Sequence, residues 1–76
     1  MPGLVVECDP EPRRGEVPVR FGCLGRLRGV AEVLDWWESE AHRDFRLRAD
    51  DGCVYILRHD LRRDRWELRF FRHGQS

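Results

Sequence analysis

The chain has 76 residues, of which 41% are hydrophobic and 37% charged, and its 14 basic and 14 acidic side chains give a formal net charge of zero. A chain of this length forms one domain that buries roughly 60% of its unfolded surface, which excludes a large catalytic fold. The hydrophobic content is too high for a disordered tail. No apolar run approaches the roughly 18 residues of a membrane span, and no signal peptide is evident, so we expect a cytoplasmic protein.

The basic residues are all arginines, and they are unevenly distributed along the chain. Residues 1–42 carry five arginines against eight acids, whereas residues 43–76 carry nine against six. A neutral total is therefore compatible with a basic surface in the second half. A GC-rich genome produces the same preference for arginine, but guanidinium groups also make bidentate and stacked contacts that an ammonium group cannot make.

The three cysteines, Cys8, Cys23 and Cys53, follow neither a disulfide framework nor a metal-binding motif. We expect reduced thiols, with Cys23 and Cys53 buried in strands, and no bound metal or cofactor. Cys53 and His59 would lie roughly 20 Å apart on one extended strand, too far to form a catalytic dyad. The sequence thus indicates a non-enzymatic protein.

The first part of the chain is predicted to be extended. Leu4 to Cys8 is rich in β-branched residues and predicts an edge strand. The segment from Asp9 to Gly15 contains two prolines and no aliphatic or aromatic side chain, which predicts an extended connector. Residues 1–16 would form this edge strand and connector, and residues 17–76 a single small β domain. The alternation from Val17 to Cys23 predicts a half-buried strand in which Pro18 faces away from the core.

The segment from Val30 to His42 is compatible with two structures. The adjacent Trp36 and Trp37 suit a long twisted strand, which would place one indole on each face of a sheet. Periodicity alone slightly favours a helix, through the spacing of five residues: Val30, Val33, Leu34, Trp37 and Ala41.

The last thirty residues predict a three-stranded antiparallel meander. Residues 45–49, 53–59 and 65–72 alternate or are β-rich, and turns separate them at Asp51-Gly52 and at residues 60–64. The register of the first hairpin depends on its loop. A two-residue loop pairs Leu47 with Ile56. A three-residue loop with a bulge shifts the pairing by one residue and moves the apolar residues of the strand to the opposite face of the sheet.

The two-residue alternative predicts a binding surface. It places Val54 and Ile56 in the core and gathers arginines around Tyr55 on the opposite face. Together with an exposed tryptophan, such a surface suits a protein partner or single-stranded nucleic acid. The same sequence pattern is also typical of a solvent-exposed face without a partner, on which the arginines pair with Glu67. Trp66 is predicted to be a core residue. The candidate binding residues are Arg46, Arg48, Tyr55, Arg65, Arg69 and Trp36.

Several segments carry a family resemblance. They are Pro18-Val19-Arg20-Phe21, Val33-Leu34-Asp35 to Trp37, Arg43-Asp44-Phe45-Arg46-Leu47, Asp51-Gly52, Tyr55-Ile56-Leu57, Asp60-Leu61 and Arg65-Trp66-Glu67-Leu68. Their order resembles a small bacterial domain family of unknown function, found alone or at the C-terminal end of Y-family translesion-polymerase-like proteins. The resemblance covers residues 17–72 and implies that Val30 to Trp37 is a strand. It carries over no catalytic residues.

We therefore expect an all-β fold, a small twisted antiparallel sheet of four to five strands that curls into an open barrel. By resemblance, we expect a non-enzymatic binding module that serves DNA repair or translesion synthesis through a protein or single-stranded nucleic acid. The alternative is a self-associating structural protein, a homodimer that binds no nucleic acid. A small hydrolase or metal enzyme is a third alternative.

Overall fold

The computed structural model describes residues 4–12, 15–23 and 25–72. These residues form six strands and no helix, so the predicted all-β fold is confirmed with six strands rather than four to five. The sheet is antiparallel throughout, its strand order follows the chain, and it curls into a half-barrel. The strands are β1 (Val5–Glu11), β2 (Gly15–Cys23), β3 (Arg26–Glu38), β4 (His42–Ala49), β5 (Val54–Asp60) and β6 (Arg65–Arg72).

The 13-residue strand β3 connects the two parts of the half-barrel. Arg26 to Gly29 pair with β2, and Val30 to Glu38 pair with β4. The register with β4 shifts twice, between Val30 and Glu32 and between Val33 and Asp35. Such bulges bend a strand and increase its twist. The helical spacing in this segment is therefore misleading, and the strand that the resemblance implies is the structure formed.

The core lies on the inner face of the half-barrel. Phe45, Leu47 and Leu57 are fully buried there, and each such side chain contributes about 1.5–3 kcal/mol. Phe21 from β2 meets the ring of Tyr55 edge-on, with the ring centroids 4.9 Å apart, so β2 covers β5. The remaining buried hydrophobic residues are Val17, Ala49 and Cys53, and Trp66 packs half-buried against this cluster.

The loop between β4 and β5 has three residues, and this decides which side chains enter the core. The Gly52 N–H donates to the Ala49 carbonyl and the Ala49 N–H donates to the Cys53 carbonyl, both at 2.9 Å. Gly52 has a φ of 84°, as expected for a turn followed by a left-handed residue. Leu47 therefore pairs with Tyr55 and not with Ile56.

The N-terminal region confirms the edge strand but not the connector. β1 is one edge of the sheet and continues to Glu11, because Asp9 to Glu11 pair with Gly15 to Val17. Pro10 is compatible with this position because an edge strand needs no donor on its free side. Pro18 is fully buried, although the sequence pattern placed it on the outward side.

Candidate binding surface

The side chains that point away from the core of β3–β6 form one surface, which we call the outer face. It collects three predicted binding residues, Arg46, Arg48 and Arg65. A fourth, Arg69, lies at the register shift between β5 and β6 and contacts Glu67. The remaining members of the outer face whose side chains the structure describes are Glu32, Asp35, Trp37, His42, Asp44, Val54, Ile56, Arg58, Asp60 and Glu67.

Two predicted binding residues do not belong to this face. Tyr55 is only 7% exposed and lies in the core, because the three-residue loop shifts the register of β5 by one residue. Trp36 packs half-buried against the core, whereas Trp37 is 45% exposed. The two indoles face opposite sides of the sheet, as the strand pattern indicated, but Trp37 is the one on the outer face.

Three of the five arginines of the outer face are paired with acids, two of them across neighbouring strands and one within β6. Arg58 donates two hydrogen bonds, of 2.9 and 3.1 Å, to the two carboxylate oxygens of Asp44, which is only 5% exposed. These bonds raise the pKa of Arg58. A bidentate pair of this kind holds β4 to β5 through side chains as well as backbone. Two further pairs are Arg48 with Glu32 and Arg69 with Glu67.

Two arginines of the outer face, Arg46 and Arg65, make no ion pair within the part of the chain that the structure describes. Asp35 is directly opposite Arg46, but its carboxylate accepts a hydrogen bond from the Trp36 N–H at 2.8 Å. Trp37 is opposite Asp44 on the neighbouring strand, so Arg46 is its diagonal neighbour at about 7–8 Å. An exposed indole and an unpaired guanidinium are therefore diagonal neighbours on this face.

Among the side chains that the structure describes, the charges of the outer face do not add up to a basic surface. Arg46, Arg48, Arg58, Arg65 and Arg69 are matched by the acids Glu32, Asp35, Asp44, Asp60 and Glu67. Binding to a nucleic-acid backbone draws its affinity from an excess of cations that replace counterions. The geometry thus favours a surface that recognises another protein over one that holds phosphates.

The three cysteines form no disulfide with one another. Cys53 is buried as predicted, whereas Cys23 is exposed at the end of β2, so its predicted burial is wrong. Burial raises the pKa of the half-buried Cys8 thiol to about 11, and the nearby Glu16 carboxylate acts in the same direction. No cluster of three or more His, Cys, Asp or Glu residues suited to a metal ion occurs among the described residues.

A search of the described segments finds no helix with the length and hydropathy needed to cross a membrane. No family model, curated protein or solved structure matches the chain.

Proposed function

We propose that the protein is a non-enzymatic binding module that contacts a partner protein through its outer face. The observation that carries this proposal is Trp37, which is 45% exposed beside the unpaired guanidinium of Arg46. Tryptophan and arginine are enriched among the few residues that supply most of the binding energy of protein interfaces. A small domain gains most from burying its largest side chains, so an exposed tryptophan suits a surface that a partner covers.

The residues around Trp37 and Arg46 support a protein partner. Val54 and Ile56 lie opposite Arg48 and Arg46, are only half-buried and add apolar area to the same face. Protein interfaces are enriched in aromatic and arginine side chains and combine apolar area with polar groups. The family resemblance makes DNA-repair and translesion-synthesis proteins the first partners to test.

A second copy of the chain is the other candidate partner. Its support is the equal number of arginines and acids on the outer face, because two such faces related by a two-fold axis can pair opposite charges reciprocally. In this case the protein is a homodimer that binds through the same Trp37.

The test compares the protein with four single variants. Trp37→Ala and Arg46→Ala remove the exposed indole and the unpaired guanidinium of the outer face, while Leu61→Ala and Arg62→Ala remove an exposed leucine and an exposed arginine from the β5–β6 loop. Affinity capture with quantitative mass spectrometry should identify a partner that is retained by both loop variants and lost by both outer-face variants. We expect a loss of about 2 kcal/mol or more for each, roughly thirtyfold in Kd.

Two further measurements separate the alternatives. Sedimentation velocity across the micromolar range should show a dimer that Trp37→Ala abolishes if the partner is a second copy. Fluorescence anisotropy with labelled single-stranded DNA at low and moderate salt should show no binding. If the protein instead bound this DNA in a salt-sensitive manner and Arg46→Ala and Arg48→Ala removed the binding, the partner would be nucleic acid and not a protein. If Trp37→Ala and Leu61→Ala gave the same result in every assay, the proposal that the outer face binds a partner would be wrong.

A further inference from the structure

The sheet has a free edge at each end. β1 and β6 each pair with one neighbouring strand, and no strand of the described chain pairs with their other sides. A free edge presents unpaired backbone N–H and C=O groups, which can bind an extended segment of another chain. In β6 these groups belong to Arg65–Arg72.

A cavity of about 280 Å³ lies where the half-barrel is open, and we call it the seam cavity. Its apolar walls include Leu4, which precedes β1, and Leu68 of β6, so the cavity lies between the two free edges. Phe21 and Tyr55 complete the apolar lining. Leu68 is 47% exposed, and a bound side chain would cover it. This volume is at the lower limit of small-molecule pockets, about 300 Å³, and has room for an apolar side chain.

The charged lining of the seam cavity is of one sign. Arg26 and Arg28 line it, and none of the lining residues is acidic. Arg28 is already bound to Asp51, with 2.6 Å between nitrogen and oxygen, whereas Arg26 is exposed and has no ion pair among the described residues. A carboxylate that reaches Arg26 would therefore displace no acid of this chain, and guanidinium–carboxylate bonds are among the stronger hydrogen bonds in proteins.

We propose that the free edge of β6 and the seam cavity bind an extended segment of a partner protein that combines apolar and acidic side chains. The segment adds to β6 as a strand, inserts an apolar side chain beside Leu68 and pairs a carboxylate with Arg26. In this mode of recognition the backbone supplies affinity and the side-chain pocket supplies specificity. The β6 of a second copy is disfavoured, because its inward-facing side chains Trp66 and Leu68 offer no carboxylate to Arg26. This inference does not depend on the outer face.

The experiment uses two capped peptides in which every second residue is threonine and the residues between are alternately leucine and glutamate in one peptide, and leucine and lysine in the other. In an extended strand the leucine and the charged residue then share one face. Each peptide is titrated into isotope-labelled protein, and NMR reports both the affinity and the perturbed backbone amides. We expect the acidic peptide to bind about tenfold more tightly and to perturb the amides of β6. Arg26→Glu should reverse the preference between the peptides, and Leu68→Ala should weaken both by several-fold.

Matched controls come from the β5–β6 loop, where Arg62→Glu makes the same change of charge and Leu61→Ala the same loss of apolar area. Neither control variant should change which peptide binds more tightly. Trp37→Ala should leave the affinities for both peptides unchanged, so this test is independent of the outer face. Equal effects of Arg26→Glu and Arg62→Glu would overturn the proposal. The proposal would also be overturned if octanoate bound in a manner that depends on Arg26 while neither peptide bound, because the site would then bind a small organic acid. Absence of binding by either peptide would also overturn it.

Discussion

Replacing Asp51 with alanine tests how the β4–β5 loop is held to the core. One carboxylate oxygen of Asp51 accepts a hydrogen bond from the Cys53 N–H at 2.9 Å. The other accepts one from the Tyr55 hydroxyl at 2.7 Å and one from Arg28 at 2.6 Å. A single carboxylate thus connects the loop, a core side chain of β5 and the beginning of β3.

The expected loss of stability follows from these three contacts. Hydrogen bonds to a charged group contribute about 1.5–3 kcal/mol each when buried. The side chain of Arg28 is 43% exposed, so its ion pair contributes only about 0–1 kcal/mol. The Asp51 side chain is itself 26% exposed, which reduces the other two contributions. We expect Asp51→Ala to lower the free energy of unfolding by about 2–4 kcal/mol, a large part of the stability of a small domain.

The assay is urea denaturation at pH 7, followed by tryptophan fluorescence, in a double-mutant cycle with Tyr55→Phe. Because Asp51→Ala already removes the acceptor of the Tyr55 hydroxyl, Tyr55→Phe should cost about 1–2 kcal/mol less in that background than alone. Asp50→Ala is the matched control, since the Asp50 carboxylate accepts a hydrogen bond from Gly29 instead. Additivity of Asp51→Ala and Tyr55→Phe would refute the reasoning.

The pH dependence provides a second readout of Asp51. Burial acts to raise the pKa of its carboxyl, but the hydrogen bonds from Cys53 and Tyr55 and the charge of Arg28 outweigh burial and lower the pKa from 3.8. A lowered folded-state pKa means that the stabilisation is complete above pH 3.8 and is lost as the pH falls through the folded pKa. The difference in urea midpoint between the protein and Asp51→Ala should therefore shrink below about pH 4. An unchanged difference at that pH would contradict this assignment.

Three further predictions follow from packing, thiol accessibility and backbone geometry. Phe45 is fully buried, so Phe45→Ala should cost about 3–5 kcal/mol in urea denaturation, and a loss under 1 kcal/mol would contradict its central place in the core. Iodoacetamide at pH 8 should alkylate the exposed Cys23 well before the half-buried Cys8, whose pKa burial raises to about 11, as peptide mapping by mass spectrometry will show. Gly22→Ala should destabilise the protein more than Gly52→Ala. Both glycines have positive φ, but only at position 22 would an added Cβ meet backbone, at 2.5 Å from a carbonyl oxygen, and equal losses would reject this explanation.

The sequence determines the strands of this protein because their signals are local. The alternation after Val17 and the runs on either side of Asp51-Gly52 predict strands through the two-residue period of side chains in a sheet. The prolines after Asp9 concealed a strand, because an edge strand tolerates residues that a central strand excludes. The antiparallel all-β fold was predictable on these grounds together with the resemblance that favoured a strand from Val30 to Trp37, apart from the number of strands.

Only the tertiary structure decides which residues share a surface. The sequence permits a loop of two or three residues after Ala49, and the three-residue loop that forms moves Tyr55 into the core and Ile56 out of it. Likewise, the pairing of β3 with β4 turns Trp36 inward and Trp37 outward. A shift of one residue exchanges the two faces of a strand without any change in composition or periodicity. The seam cavity depends on contacts still more distant in sequence, because it brings Leu4 and Leu68 together from opposite ends of the chain.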